Sequence, residues 1–250
     1  MTDLSLHVEA PAEVPLGEAV VVVLRLRNDG SSPATTSSRL DLAQGDLSVW
    51  VAPEGGDRVR VEWPWQVDSG RTEVDLAPGQ ELVGSALLLS ATGSLFPAPG
   101  DYAVLAAFAV RPDLEVTSAP ATVRRVAATD PGAAARQRAL EDPDVVRSLA
   151  SVSTIGAAAE GLALLAASDA SPVAQLLAAC VTTVTADLPP VIERAVDAAG
   201  AVIAAAAVAA VLPPGVFPGD ERLAVAEDVA GPAADPTVTA LLSGSAATAG

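Results

Sequence analysis

Apolar side chains recur at every second position from Leu4 to about Arg125, and at every third or fourth position beyond Val126. The first spacing lays one face of an extended strand on a core, and the second lays one stripe of a helix there. A chain carrying both in succession must build layers of two kinds. The change of period predicts a multidomain fold, with an all-β sandwich over residues 1–126 and an all-α helical bundle over 127–213. A Pro-, Gly- and Ala-rich segment with short helices follows at 214–250.

The second predicted strand carries the β signal best. In residues 19–28, Val20, Val22, Leu24 and Leu26 fall on one face and Arg25 and Arg27 on the other, before a turn at Asn28-Asp29-Gly30. Residues 58–65 alternate in the same way. Val59, Val61, Trp63 and Trp65 share a face there, and Pro64 assigns the strand to an edge because it lacks a ladder donor. Further strands are predicted at 4–9, 38–42, 47–52, 81–90, 102–110 and 116–124. With turn residues at Pro53-Glu54-Gly55-Gly56, Ala77-Pro78-Gly79 and Pro97-Ala98-Pro99-Gly100, that makes about eight strands, a number suited to a sandwich.

At Pro99-Gly100-Asp101-Tyr102-Ala103-Val104 the chain resembles the turn into a late strand of immunoglobulin-like and fibronectin type III-like domains. The resemblance covers roughly residues 3–126 and implies that Tyr102 bonds back to backbone as a tyrosine corner. It also implies a role in adhesion, spacing or partner docking. The paired cysteines of antibody domains are absent, as is common in bacterial modules of this kind.

Beyond Val126, Asp130-Pro131, Asp142-Pro143, Ser171-Pro172 and Asp235-Pro236 each place a capping side chain before a proline, which predicts four helix starts. After Ser171 the residues Val173, Leu176, Leu177, Cys180, Val181, Val184 and Leu188 trace one apolar stripe, which Pro189 and Pro190 end. A second long helix is predicted from 190 to about 212, apolar nearly all round in its later turns. Two more helices fit between 142 and 167, and short ones at 221–229 and 237–242. The end, 243–250, is predicted to be loose. The longest nearly charge-free apolar stretch, 198–212, falls short of the roughly 20 residues a spanning helix needs.

Thirty-one acids against 14 arginines give a net charge of -17, and the deficit is spread over both halves. Such a charge opposes approach to nucleic acid and to anionic membranes. Half of the residues are apolar, so burial can offset the ordering entropy and the chain should fold. One cysteine excludes an internal disulfide, and Met1-Thr2-Asp3-Leu4 lacks the basic and apolar runs of a secretory signal, so a cytoplasmic location is predicted.

The chain has one histidine (His7), one cysteine (Cys180) and no lysine. Imidazole, thiolate and amine groups carry most general-base, nucleophilic and metal-ligand chemistry, so no catalytic or metal-binding residue and no cofactor is predicted. His7 reads as a solvated strand histidine and Cys180 as a buried inert thiol. Glu141, Asp142 and Asp144 cluster at a helix start, where the helix dipole accounts for them. Trp63 and Trp65 read as core filling rather than a sugar-stacking platform.

The candidate partner-binding residues are Trp50, Val21 and Val23, with Arg25 and Arg27 to orient polar groups. The first three point away from the inward faces of their strands, and such a set marks a docking surface for a partner or for the chain's own helices. The resulting expectation is a non-enzymatic interaction, assembly or scaffold protein with a protein partner or a second copy. A carboxylate-dependent enzyme or binding module for sugars and a membrane-active helical protein are the alternatives.

Overall fold

The period-two half folds as facing sheets. The computed structural model describes residues 3–67, 71–231 and 235–248. Its first 126 residues hold β1 (Leu4–Glu9), β2 (Glu13–Pro15), β3 (Val21–Asn28), β4 (Ala34–Ser37), β5 (Leu47–Pro53), β6 (Val59–Arg60), β7 (Glu73–Leu76), β8 (Gln80–Leu87), β9 (Gly100–Arg111), β10 (Leu114–Thr117) and β11 (Ala121–Val126). Eight helices follow: α1 (Ala133–Leu140), α2 (Pro143–Ser151), α3 (Ala158–Ala166), α4 (Pro172–Thr182), α5 (Pro189–Ala199), α6 (Ala201–Val211), α7 (Glu221–Ala230) and α8 (Pro236–Ser243). A last strand, β12 (Ala246–Thr248), closes the described chain.

Sheet one has the order β1-β3-β8-β12, and sheet two has the order β2-β11-β9-β5-β6, with β10 also on β9. β4 pairs with β7 apart from both. Every pairing is antiparallel except β2 with β11. Between the sheets, Val22, Leu24 and Leu26 of β3 pack with Val49 and Val51 of β5 and Val104 and Phe108 of β9, all of them buried. Each such side chain contributes about 1.5–3 kcal/mol through removal from water. The Tyr102 hydroxyl donates to the Ala98 carbonyl at 2.8 Å, and the ring meets Phe96 edge-on with centroids 5.0 Å apart.

Sheet one is buried on its other face as well. Val21 and Val23 of β3, with Val83 and Leu87 of β8, belong to a second core built mostly from helices. Helix α6 lies on β3 and β8 and touches α4, α5, α7 and α8, so it is the centre of the helical half. Its side chains from Ala204 to Val211 are all buried, and alanine lets the neighbouring helices approach on every side. The arrangement is three layers, sheet two, sheet one and helices, with sheet one in the middle.

Several predicted elements change in extent. The stretch predicted as one helix from 190 to 212 is two, because Gly200 sits at φ 88° and turns the chain between α5 and α6. Helix α4 ends at Thr182, short of the prolines. Val184 is 67% exposed, and a 3-10 turn at Thr185–Asp187 carries the chain to buried Leu188. The strand predicted at 38–42 forms at Ala34–Ser37 instead, and that predicted at 58–65 keeps only Val59–Arg60. The end predicted to be loose supplies β12, with Ala246 opposite Leu82 of β8, while residues 249–250 lie outside the described residues.

Two of the four predicted caps form as predicted. Asp142 accepts from the Asp144 and Val145 amides at 2.8 and 3.2 Å, and Asp235 accepts from Thr237 at 2.9 Å. Asp130 instead stands before a Gly132 start and grips Arg136 through both carboxylate oxygens, at 2.7 and 2.6 Å. Those bonds hold its carboxyl below the ordinary aspartate range.

The Ser171 hydroxyl donates to the Gly17 carbonyl at 3.0 Å, and α4 is capped across the layers. Glu18, from the loop before β3, accepts from the Ala174 amide at 2.7 Å and from Val173 at 3.3 Å. The loop is also clasped by α1, since Gln137 accepts from the Gly17 amide at 2.9 Å and Arg136 donates to the Gly17 carbonyl at 3.3 Å. A Cβ on Gly17 would stand 2.6 Å from the Ala133 carbonyl oxygen, so only glycine allows this approach. Burial pushes the Glu18 carboxyl up, against the lowering effect of its three backbone amide bonds and of Arg136.

Candidate interaction surface

Of the predicted partner-binding residues, Val21 and Val23 are each 1% exposed and lie beneath the chain's own helices. Arg25 is engaged there too. Its guanidinium meets Glu9 at 2.7 Å and Glu81 at 3.1 Å, and donates to the Thr237 hydroxyl of α8 at 3.1 Å. Arg27 lies farther out, 3.1 Å from Asp29. The outward face of β3 therefore receives a helical layer from the same chain.

Trp50 is on the opposite side of the molecule's layer order. Alternation along β5 sends Val49 and Val51 inward and Trp50 to the outer face of sheet two. There it is half-buried, opposite Leu105 of β9 and Arg60 of β6. No helix covers this face among the described residues. Arg60 donates to the Ser48 hydroxyl at 3.0 Å, on the same face as Trp50.

From β6 the chain runs along the edge of sheet two towards α2. Val61 is buried in the sandwich and its amide donates to Val49, while the Trp65 indole donates to the Arg147 carbonyl of α2 at 3.3 Å. Val59, Trp65 and Val67 are 45%, 46% and 37% exposed, and they are three of the five large apolar side chains that stand exposed in the described chain. A cleft of about 360 Å³ beside them is lined by Arg60, Glu62, Trp63, Gln66, Thr92 and Arg147 among others. Trp63 packs against both cores, and its indole N–H has no acceptor.

Strict alternation assigns Val59, Val61, Trp63 and Trp65 to one buried face and thus misses this surface. Only Val61 of the four is fully buried. Pro64 was the available signal, since a residue without a ladder donor ends pairing and frees the flanking side chains from a common face.

The remaining candidates have structural partners. His7 is exposed on β1, 3.2 Å from the Ser5 hydroxyl. Cys180 is buried in α4, and desolvation pushes its thiol up to about 12, far from the thiolate a nucleophile needs. Glu141 accepts from Ser94 and Gln137, Asp142 caps α2, and Asp144 holds Arg147 and the Ala157 amide. Two further loop acids are engaged as well, Asp46 by the Ser37 hydroxyl at 2.6 Å and Asp41 by Gln44. No group of three or more His, Cys, Asp or Glu that could hold a metal ion occurs among the described residues. No helix among them is long and apolar enough to cross a membrane.

No family model matches the chain, and no curated protein matches it. Among solved structures, a β-glucosidase from Listeria innocua in complex with isofagomine aligns at 15% identity and a TM-score of 0.30, over 51% of this chain and 16% of that one. The β-glucosidase EmGH1 from Erythrobacter marinus aligns at 17% identity and a TM-score of 0.28, over 50% of this chain and 16% of that one. The CARDB domain of PF1109 from Pyrococcus furiosus, in complex with di-metal ions, aligns at 16% identity and a TM-score of 0.28, over 51% of this chain and 96% of the domain. The chain thus spans only a small part of the glucosidases, and likenesses this slight carry no conclusion about activity.

Proposed function

We propose that this chain is a non-enzymatic interaction or assembly protein, in which an immunoglobulin-like module at 1–126 is joined to a helical docking domain at 127–213 and a C-terminal segment at 214–250. The strand order supports the module's identity. β1-β3-β8 faces β5-β9-β11, which corresponds to the A-B-E and C-F-G halves of an immunoglobulin-like sandwich, and Tyr102 makes the bond of a tyrosine corner. In that scheme β12 takes the place beside β8 that a fourth strand of the first sheet would fill.

The observation that carries the function is the concentration of exposed apolar side chains in residues 59–67, next to the uncovered outer face that bears Trp50. Aromatic and arginine side chains at such a place are the usual anchors of a protein interface. The partner is a protein or a second copy, acting in the cytoplasm, with nucleic acid and anionic membranes disfavoured by the charge.

Size-exclusion chromatography with light scattering at several concentrations, on the full chain and on a Val59→Ser/Trp65→Ser variant, tests this reading. The expected result is an assembly, with itself or with a retained protein, that the double variant loses. A strictly monomeric chain that retains no partner from its native lysate would overturn it.

A further inference from the structure

Where the sandwich meets the helices, an apolar groove of about 390 Å³ opens between the loop before β3, the start of α4 and the junction of α5 with α6. Buried Val14, Val21 and Val173 and half-buried Ile203 line it, and the exposed wall contributed by α5 is made of Ala198 and Ala199. Small side chains at these two positions leave the space open, so the groove is concave, apolar and accessible.

The charged residues that line it share one sign. Glu13 and Glu18 are the only charged side chains among the lining residues. Both oxygens of Glu18 already accept from backbone amides, which leaves exposed Glu13 free to face an occupant. The groove also takes in the C-terminal turn of α5, whose last carbonyls form the negative end of the helix dipole. That turn holds no basic side chain and carries exposed Asp197, an acid at the helix end that disfavours it.

We propose that this groove binds a cationic amphipathic segment of a partner protein, with a large apolar side chain in the groove and Lys or Arg side chains over Glu13 and the end of α5. Helix-in-groove recognition reads such a segment through apolar anchors on one face. The net charge of -17 acts in the same direction, because it steers a basic segment in and keeps an acidic one away. The groove shares no residue with the 50–67 edge, so it stands whether or not that edge binds.

Fluorescence anisotropy on the full chain tests the proposal, with a labelled amphipathic peptide of about 12 leucines and lysines as probe. Control peptides replace leucine by serine or lysine by glutamate. The Leu/Lys peptide is expected to saturate at one site, with the Ser/Lys peptide at least tenfold weaker and the Leu/Glu peptide unbound. Ala198→Trp, at an exposed position, is expected to weaken the Leu/Lys peptide at least tenfold, and Glu13→Arg to weaken it by a similar factor. Trp65→Ser should leave binding unchanged.

Equal binding of the Leu/Lys and Ser/Lys peptides would reduce the effect to diffuse charge and overturn the proposal. Wild-type binding by both groove variants, or binding of the Leu/Glu peptide, would do the same. A concentration-dependent dimer that Ala198→Trp abolishes would assign the groove to a second copy instead. Should Ala198→Trp disturb the helical circular dichroism signal, Glu13→Arg, on an exposed strand position, carries the test alone.

Discussion

β3 and β5 are strands of similar length at the heart of their sheets, yet β3 buries every apolar side chain and shows only Arg25 and Arg27, while β5 presents Trp50. The difference is what lies beyond each sheet. Sheet one has helices on its far side, and sheet two has none among the described residues. The sequence registers this as a run against an alternation. Val20 to Leu24 are five consecutive apolar residues, the signature of a strand buried on both faces, whereas Leu47 to Ala52 interleaves Ser48 between Leu47 and Val49. In β3 the continuous apolar run thus accompanies burial on both faces, between the sandwich core and the helices.

The same charge placed on the two outer faces gives the largest contrast. Val23→Asp puts an unpaired carboxylate beneath α6 and is expected to cost about 4 kcal/mol or more, whereas Thr122→Asp on the exposed face of β11 should stay within about 0.5 kcal/mol. Urea denaturation of the two variants measures the gap. Equal effects would mean that the helices do not cover sheet one.

The Glu18 clasp sharpens the contrast further, because it seats the start of α4 on the loop that leads into β3 of sheet one. Glu18→Ala removes the acceptor that caps α4 and should cost about 1–2 kcal/mol. Glu18→Gln keeps an acceptor and removes the buried charge, so its cost should be smaller. Burial raises the folded-state carboxyl above its unfolded value of 4.5. The stability it contributes is therefore full below that value and is lost as pH rises through the folded-state value. Wild-type stability measured relative to Glu18→Gln should accordingly decline as pH is raised from 4.5, and a rising difference would contradict the assignment.

Gly200→Ala is a smaller perturbation confined to the helical layer. A Cβ there meets nothing within 4 Å, so the expected loss of about 1 kcal/mol comes from the left-handed backbone alone. Thermal unfolding followed at 222 nm reads it. No change would mean that α5 and α6 are joined by a conformation alanine accepts.

The layered order explains which parts of the fold were legible. The two periods, the turn at Gly100, the caps at Asp142 and Asp235 and the apolar face of α4 are local, set by residues within a few positions of one another. The Gly200 break was hidden because residues 198–203 run from the end of α5 into α6 with no polar side chain between them. β12 was hidden because Ala246, Ala247 and Thr248 carry no strand signal of their own and pair only because β8 offers an edge. Of the surface residues, Trp50 was legible from alternation, while Val21 and Val23 stand out equally whether a partner or the chain's own helices cover them. Glu18 was invisible as a cap, since the helix it serves begins more than 150 residues later.

All three tryptophans lie in the β half, so intrinsic fluorescence reports the sheets and circular dichroism at 222 nm reports the helices. Followed together through one urea titration, the two signals test directly whether sheet one is a layer common to both halves. The shared core predicts superimposable transitions with one midpoint, the mark of a single cooperative unit. Two separated transitions would contradict it.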